Sequence, residues 1–441
     1  MIWDQCNDLI ETIIDAMRLD PKNTDCKAIV APYIDVTKLK SEFLAKYHNE
    51  TGIKSVTLAF ALGSRSGCEP AWGGELPIDE PTILENIKEF QELGGEVILA
   101  TGGAMGPYLE NSCSTSRKLA NAYEKALKII GTNHLDIDIE APVKVDLMIK
   151  ALKRLRAQLS NLTISFTMMV QGDDYGLTNI LGTDILRECS RNALEIDIVN
   201  AMTMEFGTKE ISWGDAVIGS AKSVHGQLKQ IWPRKSDQQL YSMIGITPMI
   251  GRNFNGKVFT IDHANQLVRW ASESKIGMLS FWSISRDNGR CPGGGISPDC
   301  SSISQKDIEF SKIFQKYTGT ILNKNDEIDD EKNYQNELTT MESNDEKMTT
   351  TVPTTTISNQ TSPSISTTTK KSIKIICTEE DMFVSHPYDC NGYYWCYQNQ
   401  PHLMKCPINT IWDQNIKACN HPWEAKRKDC TSFLNNLQYD K

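Results

Sequence analysis

The sequence predicts an α/β protein: a (β/α)₈ TIM barrel followed by a disordered Thr-rich linker and a small disulfide-rich β module. Three observations carry this. Between residues 27 and 320, β-rich runs alternate with helical patterns, as expected of a parallel sheet wrapped by helices. After Tyr317 the composition turns acidic and polar, then threonine-dominated. Six cysteines then crowd between Cys377 and Cys430. The chain divides accordingly into an N-terminal segment (1–26), a barrel (27–320), a linker (321–376), a cysteine-rich module (377–430) and a tail (431–441).

The strand candidates are Ala28 to Val36, Ser55 to Leu62, Val97 to Ala104, His134 to Glu140, Thr163 to Val170, Ile196 to Glu205, Ser242 to Ile250 and Gly277 to Ser285. Between the third and fourth, Ser116 to Ile130 puts Leu119, Ala122, Tyr123, Ala126, Leu127 and Ile130 on one helical face. Met148, Leu152, Leu155 and Leu159 repeat that pattern after the fourth. Eight such strands with intervening helices in under three hundred residues fit a (β/α)₈ barrel, whose site lies at the C-terminal strand ends.

The fourth strand, Leu135-Asp136-Ile137-Asp138-Ile139-Glu140, alternates apolar residues with acids, so all three carboxylates project to one face. Acids on a buried strand face need a partner or a task. Neighbouring carboxylates in such a row lie about 6.6 Å apart. At an effective dielectric near 20 their charges repel by about 2.5 kcal/mol, close to 2 pK units. Glu140, at the end of the row, is thereby expected to move from about 4.3 towards 6 and to serve as a general acid. No histidine pair or cysteine cluster with ligand spacing accompanies the row, so neither a metal nor an organic cofactor is expected.

At these residues the chain resembles glycoside hydrolase family 18, whose signature is Asp-x-x-Asp-x-Asp-x-Glu at the end of the fourth barrel strand. Here it reads Asn133-His134-Leu135-Asp136-Ile137-Asp138-Ile139-Glu140, with Asn133 in place of the first Asp and His134 in place of the usual Gly. Other strand ends are similar to the family's: Ala31-Pro32-Tyr33, Thr101-Gly102-Gly103-Ala104, Thr247-Pro248-Met249-Ile250-Gly251 and Ser280-Phe281-Trp282-Ser283. Strand six, Met202-Thr203-Met204-Glu205-Phe206, has Glu205 where Asp is usual, and Phe206 without the hydroxyl of the family's tyrosine form. The resemblance implies catalysis by Glu140 as proton donor, Asp138 as partner of the substrate amide and Asp136 tuning Asp138. It also implies substrate contacts from Tyr33, Gly102, Gly103, Met202, Glu205, Met249 and Trp282.

The net charge of −10 and the absence of basic clusters argue against nucleic acid, and no run of eighteen apolar residues spans a membrane. Among the remaining cysteines, Cys291 and Cys300 bracket a Pro-Gly-rich loop and are expected to pair. Cys68 and Cys113, just after strands two and three, are placed to pin two loops. Cys189 is expected free and buried, and Cys6 is a weak match for Cys26. The dense terminal cluster and the sequons at Asn49, Asn161 and Asn359 point to an oxidising, extracellular compartment. Met1 to Cys26 has neither a basic n-region nor an apolar h-region, so the expectation is a native transcript that begins upstream with a cleavable signal peptide.

The tract from Thr349 to Thr369 is too poor in large apolar residues to offset its ordering entropy, and reads as an O-glycosylated stalk. Beyond it, about fifty residues cannot build a sufficient apolar core alone, and three bridges at about 2–4 kcal/mol each would compensate. Six cysteines permit fifteen connectivities on spacing alone. Phe383 and the run His386-Pro387-Tyr388-Asp389-Cys390-Asn391-Gly392-Tyr393-Tyr394-Trp395-Cys396 resemble the peritrophin-type chitin-binding domain. That resemblance implies pairing Cys377 with Cys396, Cys390 with Cys430, and Cys406 with Cys419. With Tyr397, the rings of Tyr393, Tyr394, Trp395 and Trp412 make the module unusually aromatic: about half are expected in its core, and Tyr393, Tyr394, Trp395 and Trp412 are the candidates to lie against sugar rings where exposed.

The two resemblances together imply a secreted, monomeric endochitinase with chitin and its oligosaccharides as partners. A silent chitin-binding lectin is the alternative, favoured by the departures at Glu205 and Phe206.

Overall fold

The computed structural model describes residues 28–317, 383–397, 400–406, 411–414 and 418–420. The N-terminal segment with Cys6 and Cys26, the linker, Cys377, Cys430 and the tail lie outside the described residues.

Eight parallel barrel strands follow one another: β1 (Ile29–Val30, continued by Tyr33–Asp35), β2 (Ser55–Ser64), β3 (Glu96–Gly102), β4 (His134–Ile139), β5 (Thr163–Gly172), β6 (Ile198–Met202), β7 (Ile244–Thr247) and β8 (Met278–Leu279). Each pairs with the next, and β8 closes on Ile29–Val30 while Tyr33–Asp35 pairs with β2. The ladder of β1 bridges Pro32, which has no N–H to give: Ala31 N donates to Leu279 O at 2.9 Å and Tyr33 N to Phe281 O at 3.1 Å. Pro248 likewise ends β7 earlier than expected, at Thr247. β8 is also shorter than expected, yet Trp282 N still donates to Pro248 O at 2.9 Å.

The helix after β3 spans Ser116–Ile130, with Thr115 Oγ1 accepting from Lys118 N and Gly131 closing the C-terminus at φ 75°. All six residues of the expected face are buried. The helix after β4 spans Val145–Gln158 and buries Met148, Leu152 and Leu155, with Leu159 just past its end.

Inside the barrel the side chains pack in layers. Ala31, Ile98, Ile198 and Met278 form one apolar layer, and Tyr33, Ala59 and Ala100 a second, with Phe60 and Trp282 against it. Above Ile198, strands β4 to β7 turn the polar side chains of Asp136, Asp138, Ser165, Thr167, Asn200 and Thr247 inward, and this polar half carries the site.

In the cysteine-rich module, Phe383–Ser385, Gly392–Tyr397 and Gln400–Lys405 form an antiparallel three-stranded sheet, and Ile411–Asp413 pairs with Ala418–Asn420. Tyr393 and Trp412 are buried and stacked with ring centroids 3.8 Å apart. This corrects their assignment as sugar contacts: rings buried in each other have no face left for a ligand, and they are the module's core. Tyr394 is partly buried and stacks on His386, whereas Tyr388, not among the expected contacts, is 80% exposed. The side chain of Trp395 lies outside the described residues. Cys390 and Cys406 are disulfide-bonded, to partners outside the described side chains.

Candidate active site

The row of acids falls on the inner face of β4. Asp136 and Asp138 point into the barrel, buried, while Leu135, Ile137 and Ile139 pack outward at no more than 1% exposure. Glu140 is the first residue past the strand and is half-buried.

Asp136 sits in a cradle of hydroxyls. It accepts from Ser165 Oγ at 2.5 Å, from Tyr33 OH at 2.9 Å and from Thr167 Oγ1 at 2.9 Å. The chain continues both ways. Asn200 Nδ2 donates to Thr167 Oγ1 at 2.9 Å, and Thr247 Oγ1 donates to Asn200 Oδ1 at 2.8 Å. On the other side His134 Nε2 lies 3.0 Å from Ser165 Oγ. Since Ser165 gives its proton to Asp136, His134 must donate from Nε2. Burial pushes the imidazole down to about 4, so it is neutral. Burial also pushes Asp136 up to about 6 against the pull of its three donors.

Asp138 has a different environment. Its Oδ1 is buried with no donor, an acceptor left open where nearly all buried polar atoms are paired. Burial, then the charges of Glu140 and Asp136, raise its carboxyl well above the usual range. Glu140 is raised to about 7, by burial. The expected direction for Glu140 is found, but its cause is corrected: desolvation lifts Glu140, and charge repulsion falls on Asp138. Tyr108 fixes the backbone here, with its OH accepting from Glu140 N at 3.1 Å and donating to Gly103 O at 2.5 Å.

Asp138 and Glu140 open into a cavity of about 310 Å³ whose walls include Tyr33, Phe60, Met202, Met204, Glu205, Met249, Phe254 and Trp282. Trp282 lies across the barrel mouth, nearly parallel to Phe60 at 5.9 Å and tilted against Tyr33 at 6.0 Å. Tyr33, Met202, Glu205, Met249 and Trp282 are thus brought together with the acids as expected. Gly102 and Gly103 stand at the end of β3, next to Ala104, which is on the wall. Both have positive φ, and a β-carbon on Gly103 would meet the Phe60 ring at 2.7 Å, so they serve close packing. Phe206 turns into the core against Trp213, with centroids 4.5 Å apart, and presents nothing to the cavity.

Sequence reasoning missed Ser165, Thr167, Asn200 and Thr247, although Ser165 and Thr167 alternate in register with Asp136 and Asp138. It also missed Phe60, Met204 and Phe254. The bridges Cys68–Cys113 and Cys291–Cys300 are formed, and Cys189 is free and buried. Among the described residues no group of three or more His, Cys, Asp or Glu side chains is arranged to hold a metal ion.

Over the barrel the chain is 38% identical to the catalytic domain of a hyperthermophilic chitinase from Pyrococcus furiosus, with TM-score 0.62, covering 94% of that chain and 66% of this one. It is 29% identical over 322 residues to a probable bifunctional chitinase/lysozyme of Escherichia coli (strain K12), 68% of this chain and 35% of that protein. It is 30% identical over 293 residues to Endochitinase 11 of Metarhizium anisopliae, 60% of this chain and 54% of that one. The chain therefore spans about a third and about half the length of these two relatives. Residues 377–430 match the family described as Chitin binding Peritrophin-A domain.

The barrel, its inward acids and these likenesses define a glycoside hydrolase of the (β/α)₈ class. The chain belongs to glycoside hydrolase family 18, the chitinase family, joined to a peritrophin-type chitin-binding domain.

Proposed function

We propose that the protein hydrolyses internal β-1,4 linkages of chitin with retention of configuration, assisted by the substrate's own acetamido group. The observation that carries this is the pair formed by protonatable Glu140 and the open acceptor Asp138 Oδ1, facing one cavity under Trp282. Glu140 gives its proton to the scissile glycosidic oxygen. The acetamido carbonyl oxygen attacks C1, and the resulting oxazolinium keeps its N–H on Asp138. No enzyme carboxylate needs to act as nucleophile. Water, deprotonated by the Glu140 carboxylate, then attacks C1 from the face the leaving group vacated. The proton returns to Glu140.

Internal cleavage is supported by the short connection after β7, where Gly251–Arg252 and Val258–Phe259 form a two-stranded hairpin and the next helix begins at Ile261. The chitin-binding domain raises the local concentration of the barrel on insoluble substrate. Extracellular residence is supported by the bridges Cys68–Cys113 and Cys291–Cys300. A cytosolic chain from the natural source with these thiols free would defeat that part of the proposal.

The test is turnover of colloidal chitin by the wild type beside Glu140→Gln. The wild type should release β-anomeric products first, and Glu140→Gln should bind oligomers without cleaving them. An initial α-anomer by NMR sinks the substrate-assisted route. Chitin binding without turnover by the wild type points to the lectin reading, which the absence of a strand-six hydroxyl from the cavity favours.

A further inference from the structure

Glu205 has φ 61°, in the left-handed region that a residue other than glycine occupies when its surroundings hold it there. Two hydrogen bonds to the carboxylate hold it. Oε1 accepts from Phe254 N at 2.8 Å, and Oε2 accepts from Asn255 N at 2.8 Å. Asn255 Nδ2 returns a bond to Phe206 O at 3.0 Å. The strand-six end and the tip of the hairpin are therefore tied at three points.

The same hairpin is braced at its base. The buried guanidinium of Arg286 donates to Ile250 O and to Arg252 O, both at 2.9 Å, and its charge also attracts Glu205. Asn253 Nδ2 closes the turn from within, donating to Met249 O at 2.9 Å. Held at base and tip, Phe254 stands 49% exposed on the wall of the cavity that contains Glu140 and Trp282. The ring is continuous with the apolar wall formed by Met202, Met204, Met249 and Trp282, and a contiguous apolar surface of that kind marks a ligand-binding groove. A flat aromatic face matches the apolar face of a pyranose ring.

We infer that Glu205 is a positioning residue and Phe254 a specificity-determining one: the carboxylate latches the hairpin tip so that the Phe254 ring forms a platform for a sugar unit remote from the bond being cleaved. Glu205 touches the turn through both carboxylate oxygens, so its part in sugar binding is indirect. This inference rests on the proposed action on N-acetylglucosamine polymers and adds chain-length selectivity to it.

The experiment compares full-length Glu205→Ala, Glu205→Gln, Glu205→Asp and Phe254→Ala with wild type on chitin trimer and hexamer. For Glu205→Ala and Phe254→Ala, KM for the hexamer should rise about tenfold, equivalent to about 1.4 kcal/mol, with kcat falling less than about threefold. For the trimer KM should move less than about twofold. Glu205→Gln keeps one acceptor and the length, and should recover most of the affinity. Glu205→Asp, one methylene short, should not.

The same substitutions on the non-cleaving Glu140→Gln background, titrated with hexamer by calorimetry, separate the two claims. Absence of wild-type turnover with the affinity loss intact defeats the proposed function and leaves the platform standing. Turnover of chitin with hexamer affinity unchanged in Phe254→Ala overturns the platform, and a Glu205→Asp variant equal to wild type overturns the latch. Phe254→Ala leaves the latch bonds in place, so it decides the matter even where Glu205→Ala folds poorly.

Discussion

A β-carbon on Gly102 would lie 1.9 Å from the carbonyl oxygen of Asp138, and Gly102 itself has φ 85°. The third and fourth strands approach there closely enough that only a hydrogen fits between them. Gly103 N then donates to that same carbonyl at 3.0 Å, so the backbone under Asp138 is fixed from the neighbouring strand.

Gly102→Ala should therefore act on chemistry through the backbone beneath Asp138. Left-handed backbone costs a residue with a side chain about 1–2 kcal/mol, and the contact with Asp138 adds to it. We expect kcat to fall more than about tenfold with a smaller change in KM, since Asp138 is displaced rather than removed. Steady-state kinetics beside a melting curve checks this; unchanged kcat in a folded variant refutes it.

The raised acids set a pH dependence of stability. Glu140 titrates near 7 in the folded protein against 4.5 for the free group, and Asp136 near 6 against 3.8. Folded values above unfolded ones mean that their contribution is fully present below the unfolded pKa and is lost as pH rises through the folded pKa. Glu140→Gln should thus raise the barrel's Tm at pH 8 by a few degrees, on the order of 2 kcal/mol, and have little effect at pH 4. Turnover by the wild type should fall as pH rises through about 7, where Glu140 loses its proton. A Tm difference that is equal at both pH values would contradict the assignment.

Cys68 and Cys113 close a loop of 45 residues between the regions after β2 and β3. Chain-entropy arguments give such a loop about 4 kcal/mol at most. Replacing both by Ser should lower the barrel's Tm by several degrees in thermal melts, and adding reductant to the wild type should do the same. No shift in either would show that the loops are held by packing alone.

In the module, burial separates structure from recognition. Trp412→Ala removes a fully buried ring stacked on Tyr393 and should cost about 3–5 kcal/mol, enough to unfold a domain of this size. Tyr388→Ala, at an exposed ring, should leave the fold intact and weaken pull-down on insoluble chitin. Deleting residues 371–441 should likewise weaken attachment to insoluble chitin, with activity on soluble oligomers nearly unchanged. Equal loss on both substrates would mean that the module supports the barrel's fold.

How much of this was legible in the sequence differs from element to element. The β4 acids stand out because alternation of Asp and Ile is rare on a buried strand, and the Ser116–Ile130 helix because its apolar period and flanking Thr115 and Gly131 agree. Ser165, Thr167, Asn200 and Thr247 carry no such signal, since short polar residues are common in strands and only the barrel's register aligns them. Glu205 is on the cavity wall as expected, but its bonds go to a turn 49 and 50 residues away, which no local pattern reveals. Composition shows that the module is rich in aromatic rings; burial alone shows that Tyr393 and Trp412 are spent on its core.

The hydroxyl cradle gives the site a direction. Asp136 faces three hydroxyl donors that favour its anion, and to protonate it one of Ser165, Tyr33 or Thr167 must reverse its O–H and accept. Its standing negative charge meanwhile disfavours a second charge on Asp138. That charge favours keeping a proton on Asp138 or Glu140, the pair that faces the cavity.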